Sequence, residues 1–309
     1  MSVNLAAIRD LLLPGLLEIT GQYHNIEPQW KKVFRSIKSN MQIERSVQAR
    51  YLPLAQLKTE GGNTYFDNNA GERWAYNMEP IEAGLGYSIT RKAIDDNLYK
   101  QDFQPTNLGL AKSFADYWEI QAAAIFNNAG TYNANIGGDG VSLLNSAHPI
   151  SDTTAFAAGS WPNRPTIDVD LNEATLIAGM KAVRTGFVNE AGLKVRARAK
   201  ELLVPVALED VAIRLINSTM RPGTSDNDPN AIRSLSGGLH DYEVFDYFTS
   251  NFAWFLKTDI PGLIHIDRVP FELDMHVDFL TDNLLVKGYQ RAGFFHNDPR
   301  CLYGSIPTA

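Results

Sequence analysis

The chain has one cysteine, Cys301, among its 309 residues. A single cysteine excludes an intramolecular disulfide, so a reducing, cytosolic setting is the simpler interpretation. The sequence also lacks a run of about 18 uncharged apolar residues, so no membrane-spanning helix is predicted. Its first residues do not form a signal-peptide pattern, because Arg9 and Pro14 interrupt the apolar stretch.

A surplus of positive charge is also missing. The chain has 28 Lys and Arg residues against 35 Asp and Glu residues, which gives a formal charge of −7. This balance argues against tight direct binding of nucleic acid, which requires a basic surface to neutralise phosphates. Two short basic segments, 30–38 and 194–200, are interpreted first as solvated faces of local structure.

The usual catalytic and cofactor motifs are absent from the sequence as well. It has no glycine-rich phosphate loop, no HExxH, no CxxC and no GxSxG. None of its six histidines pairs with another at helical i, i+4 spacing, and none lies beside Cys301. The sequence therefore predicts no metal site, no cofactor and no catalytic residues.

One segment, LLNSAHPI at 143–150, leaves an enzymatic alternative open. Ser146 and His148 are two residues apart, so in an extended chain both side chains point the same way. A nucleophile also needs an oxyanion hole and an oriented base. We therefore favour a histidine that fixes a loop by hydrogen bonding to the backbone, and keep a hydrolase using Ser146 and His148 as the alternative.

What the sequence does contain is a series of elements suited to shared surfaces. Residues 1–40 predict a helical arm, with Leu5, Ile8, Leu12 and Leu16 in its first part and Trp30, Val33, Phe34 and Ile37 in its second. Residues 42–90 predict a long β-hairpin with a polar tip at 59–73. Because two strands alone are marginal in water, such a hairpin is expected to dock on another subunit.

Helical periodicity is strongest in the middle of the chain. The segment 107–129 predicts a helix of roughly 35 Å that begins at an Asn107 N-cap. A second helix is predicted over 170–187, with an Asp170–Glu173 capping box, and a third over 207–218. A strand at 194–205 and short strands over 240–304 complete an α+β fold.

Several segments in this order resemble the major capsid proteins of tailed phages, which have the Hong Kong 97-type fold, and most closely the Mu-like major head subunits. The most specific segment, 176–218, combines an acidic–glycine turn at Glu190 and Gly192 with a strand that ends in Leu203–Val204–Pro205. The other segments that carry the resemblance are 143–149, 251–268 and 286–305.

The resemblance implies a four-part architecture. The expected parts are an N-terminal arm (1–41), an extended β-hairpin loop (42–90), a peripheral domain with a long spine helix (91–130 and 281–309) and an axial domain (131–280). It also implies a structural protein and not an enzyme. Four charged residues of the hairpin are the candidate contacts between subunits: Glu60, Asp67, Glu72 and Arg73.

The function implied is self-assembly into hexamers and pentamers of an icosahedral shell that encloses double-stranded DNA without reading its sequence. The implied partners are other copies of the chain, scaffolding and portal proteins, and in some relatives a decoration protein, with no membrane involved. The expected location is the virion, after assembly in the host cytoplasm. A nanocompartment shell of the same fold remains the alternative within this class.

Overall fold

The computed structural model of the chain describes residues 27–67, 71–95, 99–152, 159–220, 229–235 and 238–307. The first part of the predicted arm helix, with Leu5, Ile8, Leu12 and Leu16, lies outside the described residues.

The described helices vary from one turn to about eight turns. The longest, α3, has 29 residues and is about 44 Å long at 1.5 Å per residue. The helices are α1 (Trp30–Val33), α2 (Arg91–Asp95), α3 (Tyr99–Asn127), α4 (Glu173–Gly186), α5 (Glu209–Asn217) and α6 (Ala231–Ser234).

The strands belong to two larger sheets and two small pairs. They are β1 (Arg35–Lys38), β2 (Glu44–Ala49), β3 (Glu72–Met78), β4 (Ile81–Ile89), β5 (His148–Pro149), β6 (Ser160–Trp161), β7 (Ala199–Pro205), β8 (Asp241–Phe245), β9 (Trp254–Thr258), β10 (Leu263–Val277), β11 (Leu284–His296) and β12 (Leu302–Ser305).

The first sheet has the strand order β1-β10-β11-β4 and packs on α3. Strands β10 and β11 form a long antiparallel hairpin, β4 runs antiparallel to β11, and β1 runs parallel to β10. The Phe114 ring of α3 packs edge-on against Phe271 of β10, with ring centroids 4.9 Å apart. Gly288 of β11 makes this approach possible, because a Cβ there would lie only 2.8 Å from the Phe114 ring.

The second sheet has the order β12-β9-β7-β8 and separates two cores. Leu203 of β7 faces the core that contains the C-terminal half of α3. Leu202 and Val204 face the opposite core, together with α4 and α5. The predicted apolar stripes are confirmed on both sides: Leu110, Phe114, Trp118 and Ala122 of α3 and Leu176, Met180 and Val183 of α4 are all buried.

Only one turn of the predicted second arm helix forms. Trp30, Val33 and Phe34 are buried as expected, but the chain then becomes strand β1, which pairs with β10. Ile37 lies on that strand and is exposed. The helical interpretation of this part was wrong because the strand gains a ladder of hydrogen bonds from a sheet that is distant in the sequence.

The long helix α3 begins earlier than predicted. It starts at Tyr99 instead of at an N-cap on Asn107. The apolar stripe begins only at Leu110, so periodicity could not reveal the preceding turns.

The capping box of α4 also lies at different residues from the predicted Asp170–Glu173 pair. The Asn172 side chain accepts a hydrogen bond from the Thr175 N–H at 2.9 Å, and Thr175 Oγ1 accepts one from the Asn172 N–H at 3.0 Å. Two predicted segments are also shorter than expected: strand β7 starts at Ala199, and a 3₁₀ turn (Val206–Leu208) precedes α5.

The hairpin expected over 42–90 exists but is shorter. Strands β2 and β3 pair with each other, whereas β4 pairs with β11 in the first sheet. The alternation of apolar and polar residues over 50–57 predicts a strand, but β2 ends at Ala49 and residues 50–57 contain no strand. Local alternation also does not indicate which strand each one pairs with. The domain boundaries themselves stay predictions.

Phe126 of α3 provides a test of the first core. It is fully buried, and its ring centroid lies 5.5–5.8 Å from those of Phe34, Phe245, Phe248 and Phe255. Phe126→Ala is expected to lower the free energy of unfolding by about 3–5 kcal/mol in chemical denaturation of the unassembled subunit. Ile120→Ala, at an exposed position of the same helix, is the control and should change it by about 0.5 kcal/mol or less. Equal effects of the two changes would contradict this assignment of the core.

Candidate assembly interface

The β2–β3 hairpin leads from the packed body into an exposed loop. Its pairing runs from Glu44 opposite Met78 to Ala49 opposite Glu72, with an irregularity after Val47. Beyond this stem, residues 50–67 contain no helix or strand, and a turn at Thr59–Gly62 uses the positive φ of Gly61. This part of the hairpin, residues 50–67, is called the hairpin loop below.

The hairpin loop carries large apolar side chains on its surface. Leu57 is 95% exposed, and five other large apolar side chains are also in contact with solvent. Several large apolar side chains exposed in one loop are typical of a binding surface. The exposed apolar residues of the loop are Tyr51, Leu52, Leu54, Leu57, Tyr65 and Phe66.

A buried ion pair holds the stem of the hairpin to the body. Arg73 Nη1 lies 2.6 Å from Glu190 Oε1, and the two side chains are 5% and 0% exposed. The remaining guanidinium nitrogens, Nε and Nη2, donate to Gln48 Oε1 at 3.0 and 2.8 Å. The second Glu190 oxygen accepts from the Tyr51 N–H at 2.7 Å. Glu190 thus fixes both strands of the hairpin at the point where the loop begins.

Further contacts attach the same stem to other segments. Arg50 forms an ion pair with Asp152 at 2.8 Å, and Gln48 Nε2 donates to the Asn297 carbonyl at 2.6 Å. The Asn297 side chain in turn donates to Ser46 Oγ at 3.1 Å. The hairpin therefore has a rigid base, and the apolar loop extends from it.

Tyr76 of β3 packs the stem onto a glycine-rich segment. Its ring is buried and lies over Gly138, where a Cβ would approach it to 2.4 Å. Next to it, the Asn77 N–H donates to the Ile136 carbonyl at 2.7 Å. Gly138 has a φ of +96°, which side chains rarely adopt, so this position needs glycine for two reasons.

The four candidate contact residues fall into two groups. Arg73 pairs with Glu190 within its own subunit, and its assignment as a contact between subunits stays a prediction. Glu60 and Glu72 are exposed and Asp67 is half-buried, and these three stay predictions. Sequence reasoning missed Glu190 as the partner of Arg73, because nothing in a single sequence joins two such distant positions.

The loop at 143–150 is held by a buried polar network. The His148 ring is fully buried and stacks on Trp161 at 4.5 Å. Its Nδ1 lies 2.6 Å from Asp139 Oδ2, and its Nε2 lies 3.0 Å from Asn163 Oδ1. The Asn163 amide then donates to the carbonyl groups of Leu143 and Pro299, at 2.7 and 2.9 Å.

This arrangement corrects the hydrolase alternative. Ser146 is exposed, while both ring nitrogens of His148 face the oxygens of Asp139 and Asn163. With both ring nitrogens engaged by other side chains, His148 is not placed to act as the base for Ser146. His148 fixes the loop, through the side chains of Asp139 and Asn163 and not through a direct bond to the backbone.

Burial controls the titration of several other groups. It lowers the pKa of His265, which lies between the rings of Trp30 and Phe294, to about 4. It also lowers the pKa of His296 to about 4. Burial raises the pKa of the Cys301 thiol, which keeps that thiol protonated and unreactive at neutral pH.

Among the described residues, no group of three His, Cys, Asp or Glu side chains is placed to hold a metal ion. Within the same part of the chain, no helix combines the length and apolar character that crossing a bilayer requires.

Comparisons with known proteins identify the class of protein to which the chain belongs. A family model described as a phage capsid protein matches residues 79–305. The structure is similar to the capsid of a native GTA particle, with a TM-score of 0.56 and 12% identity over 92% of both chains. It is also similar to a structure from Microbacterium phage Oxtober96, with a TM-score of 0.55 and 10% identity over 92% of both chains.

A virus-like particle from Pyrococcus furiosus shares the fold too, with a TM-score of 0.51 and 7% identity over 93% of this chain and 95% of that one. No curated protein sequence matches the chain. The structure has the Hong Kong 97-type capsid fold that the resemblance implied. The chain belongs to the phage capsid protein family. The Mu-like subtype stays a prediction.

The Arg73–Glu190 pair gives a first prediction for the interface. Glu190→Gln is expected to lower the free energy of unfolding by about 3–5 kcal/mol, because it leaves the buried guanidinium without its counter-charge. Denaturant unfolding of the unassembled subunit measures the change. The control, Lys287→Met, breaks the exposed Lys287–Asp274 pair and should cost about 1 kcal/mol or less.

A double variant separates pairing from packing. Arg73→Met combined with Glu190→Gln should cost less than the sum of the two single changes, because neither charge is then left alone. Strict additivity would show that the two residues do not act as a pair.

The buried histidines predict an acid-sensitive fold. Because burial lowers the pKa of His265 and His296 from 6.5 to about 4, the unfolded chain binds protons that the folded chain does not. Stability is expected to fall as pH decreases from about 6.5 to 4, by up to about 1.4 kcal/mol per pH unit for each histidine. Unfolding free energies measured across this range test it. Replacing both histidines with Phe should flatten the profile, and an unchanged slope would contradict the assignment.

Proposed function

We propose that this chain is the structural major capsid protein of a phage head. Copies self-assemble into hexamers and pentamers of an icosahedral shell that encloses double-stranded DNA. The observation that carries the proposal is the hairpin loop: an exposed apolar surface on a rigidly anchored base. A monomer gains nothing from such a surface, whereas a shell buries it once in every subunit.

The free energy of assembly comes from repeated interfaces in this proposal. Burying one Leu or Phe side chain contributes about 1.5–3 kcal/mol, and the loop offers several of them. Exposed ion pairs through Glu60, Asp67 or Glu72 would add only about 0–1 kcal/mol each. The apolar residues are therefore the main contacts of the loop, and the charged residues adjust their register.

The remaining assignments follow from this role. The protein resides in the virion after assembly in the host cytoplasm, and scaffolding, portal and decoration proteins are its further partners. Its function is structural and not catalytic.

A nanocompartment shell is the second candidate, favoured by the likeness to the virus-like particle. The contents of purified particles distinguish the two, since nucleic acid supports a phage head and a protein cargo supports a nanocompartment.

Negative-stain electron microscopy of the purified wild-type protein tests the proposal directly. Closed shells of uniform size are expected under assembly conditions. A monodisperse monomer under all conditions tried would overturn it.

A hairpin variant tests the proposed interface. Leu54→Ser, Leu57→Ser and Phe66→Ser together should leave the unfolding free energy nearly unchanged, because all three side chains are exposed. The same variant should strongly reduce the yield of shells measured by size-exclusion chromatography and microscopy. As the control, Thr59, Asn63 and Thr64 of the same loop are changed to Ala, which should preserve assembly. Normal shell yield from the serine variant would contradict the role of the loop.

A further inference from the structure

A row of four basic side chains lies where the chain enters the second sheet. The row ends at Lys200 of strand β7. Its members are exposed, and the residues between them are half-buried or buried against the core that contains α4 and α5. The exposed residues are Lys194, Arg196, Arg198 and Lys200, called the basic strip below. The intervening residues are Val195, Ala197 and Ala199.

The basic strip is not neutralised within the subunit. In the described part of the chain, no ion pair reaches any of its four side chains, although the protein as a whole has a charge of −7. Two carboxylates close to the strip in the sequence or the sheet have other partners. Glu201 forms an ion pair with Lys257 at 3.0 Å, and Asp259 accepts from the backbone N–H of Arg198 at 2.8 Å.

The backbone beneath the strip is fixed. The Asp259 N–H donates to the Arg198 carbonyl at 2.9 Å, so Arg198 and Asp259 are joined by two hydrogen bonds. Ala199 pairs with Thr258 of β9 in the sheet. The backbone that carries Arg198 and Lys200 is therefore ordered before a partner binds.

Four basic side chains within seven residues suit a polyanion. The Ala197 N–H donates to the Val195 carbonyl at 2.9 Å, so the strip bends at Arg196 and is shorter than the roughly 20 Å of a fully extended segment. Duplex DNA presents a phosphate about every 3.4 Å along each strand. A protein partner fits less well, because the cores of protein interfaces are depleted in charge, whereas the strip exposes charged side chains alone.

We propose that the basic strip contacts the phosphate backbone of duplex nucleic acid enclosed by the shell, without reading its sequence. This inference rests on the proposed capsid function. The contact is weak in each subunit, in keeping with the acidic chain as a whole, and its effect comes from the many copies that line one shell.

Salt dependence of binding provides the test. Unassembled full-length subunits are titrated with a fluorescently labelled 30-base-pair duplex of random sequence at several salt concentrations. The strip variant changes Lys194, Arg196, Arg198 and Lys200 to Gln. The control variant makes the same four-charge change at exposed positions elsewhere: Lys38, Lys112, Lys181 and Arg184.

The slope of the logarithm of the duplex-binding constant against the logarithm of salt concentration is negative. Its magnitude should fall by about 0.9 for each lost phosphate contact, so by up to about 3.6 in the strip variant. The control should keep the wild-type slope. If the fourfold variant does not fold, Arg196→Gln and Arg198→Gln are measured singly, and each should reduce the magnitude of the slope by about 0.9.

Equal slopes in the strip and control variants would overturn the inference, as would wild-type protein that does not bind the duplex. A strip variant that loses shell assembly but keeps the wild-type slope would overturn it too, since the strip would then be a protein contact. Failure of the capsid function is seen separately, as the absence of shells from wild-type protein by microscopy.

Discussion

The buried ion pair between Arg73 and Glu190 is the constraint on which the β2–β3 hairpin depends. A buried charge without a partner is costly, so the pair holds only when the hairpin stem and the turn at Glu190 are both in place. Glu190 also accepts from the Tyr51 N–H, which sets the point where the loop leaves the body. The Glu190 carboxylate thus links the packed core to the hairpin loop, whose exposed apolar side chains do not pack into that core.

The rest of the fold supports this arrangement. The spine helix α3 lies against the first sheet through Phe114 and against the second through Phe126, so it ties the two sheets together. The His148 network holds the loop that follows α3, and Tyr76 seats the hairpin stem on the neighbouring glycine-rich segment. A rigid body that presents an apolar loop is what a shell subunit requires, because repeated contacts must meet at a fixed angle.

Local patterns in the sequence predicted much of the fold. The stripes of α3 and α4 follow from helical periodicity, and the loop-fixing role of His148 follows from the lack of an oxyanion motif around Ser146. Pairings between distant segments could not be predicted in the same way. The sequence alone did not show that β4 joins β11, that β1 joins β10, or that Arg73 meets Glu190, because each depends on tertiary packing. The apolar character of the hairpin loop was visible in Leu54 and Leu57, but only their exposure made it informative.

The central claim is that the hairpin loop is buried when copies assemble, while its stem is already fixed in the free subunit. Hydrogen–deuterium exchange, compared between unassembled subunits and purified shells, measures this most directly. The account predicts that amides of residues 50–67 exchange rapidly in the free subunit and become protected in shells, and that β2 and β3 are protected in both. Rapid exchange of residues 50–67 in intact shells would contradict it.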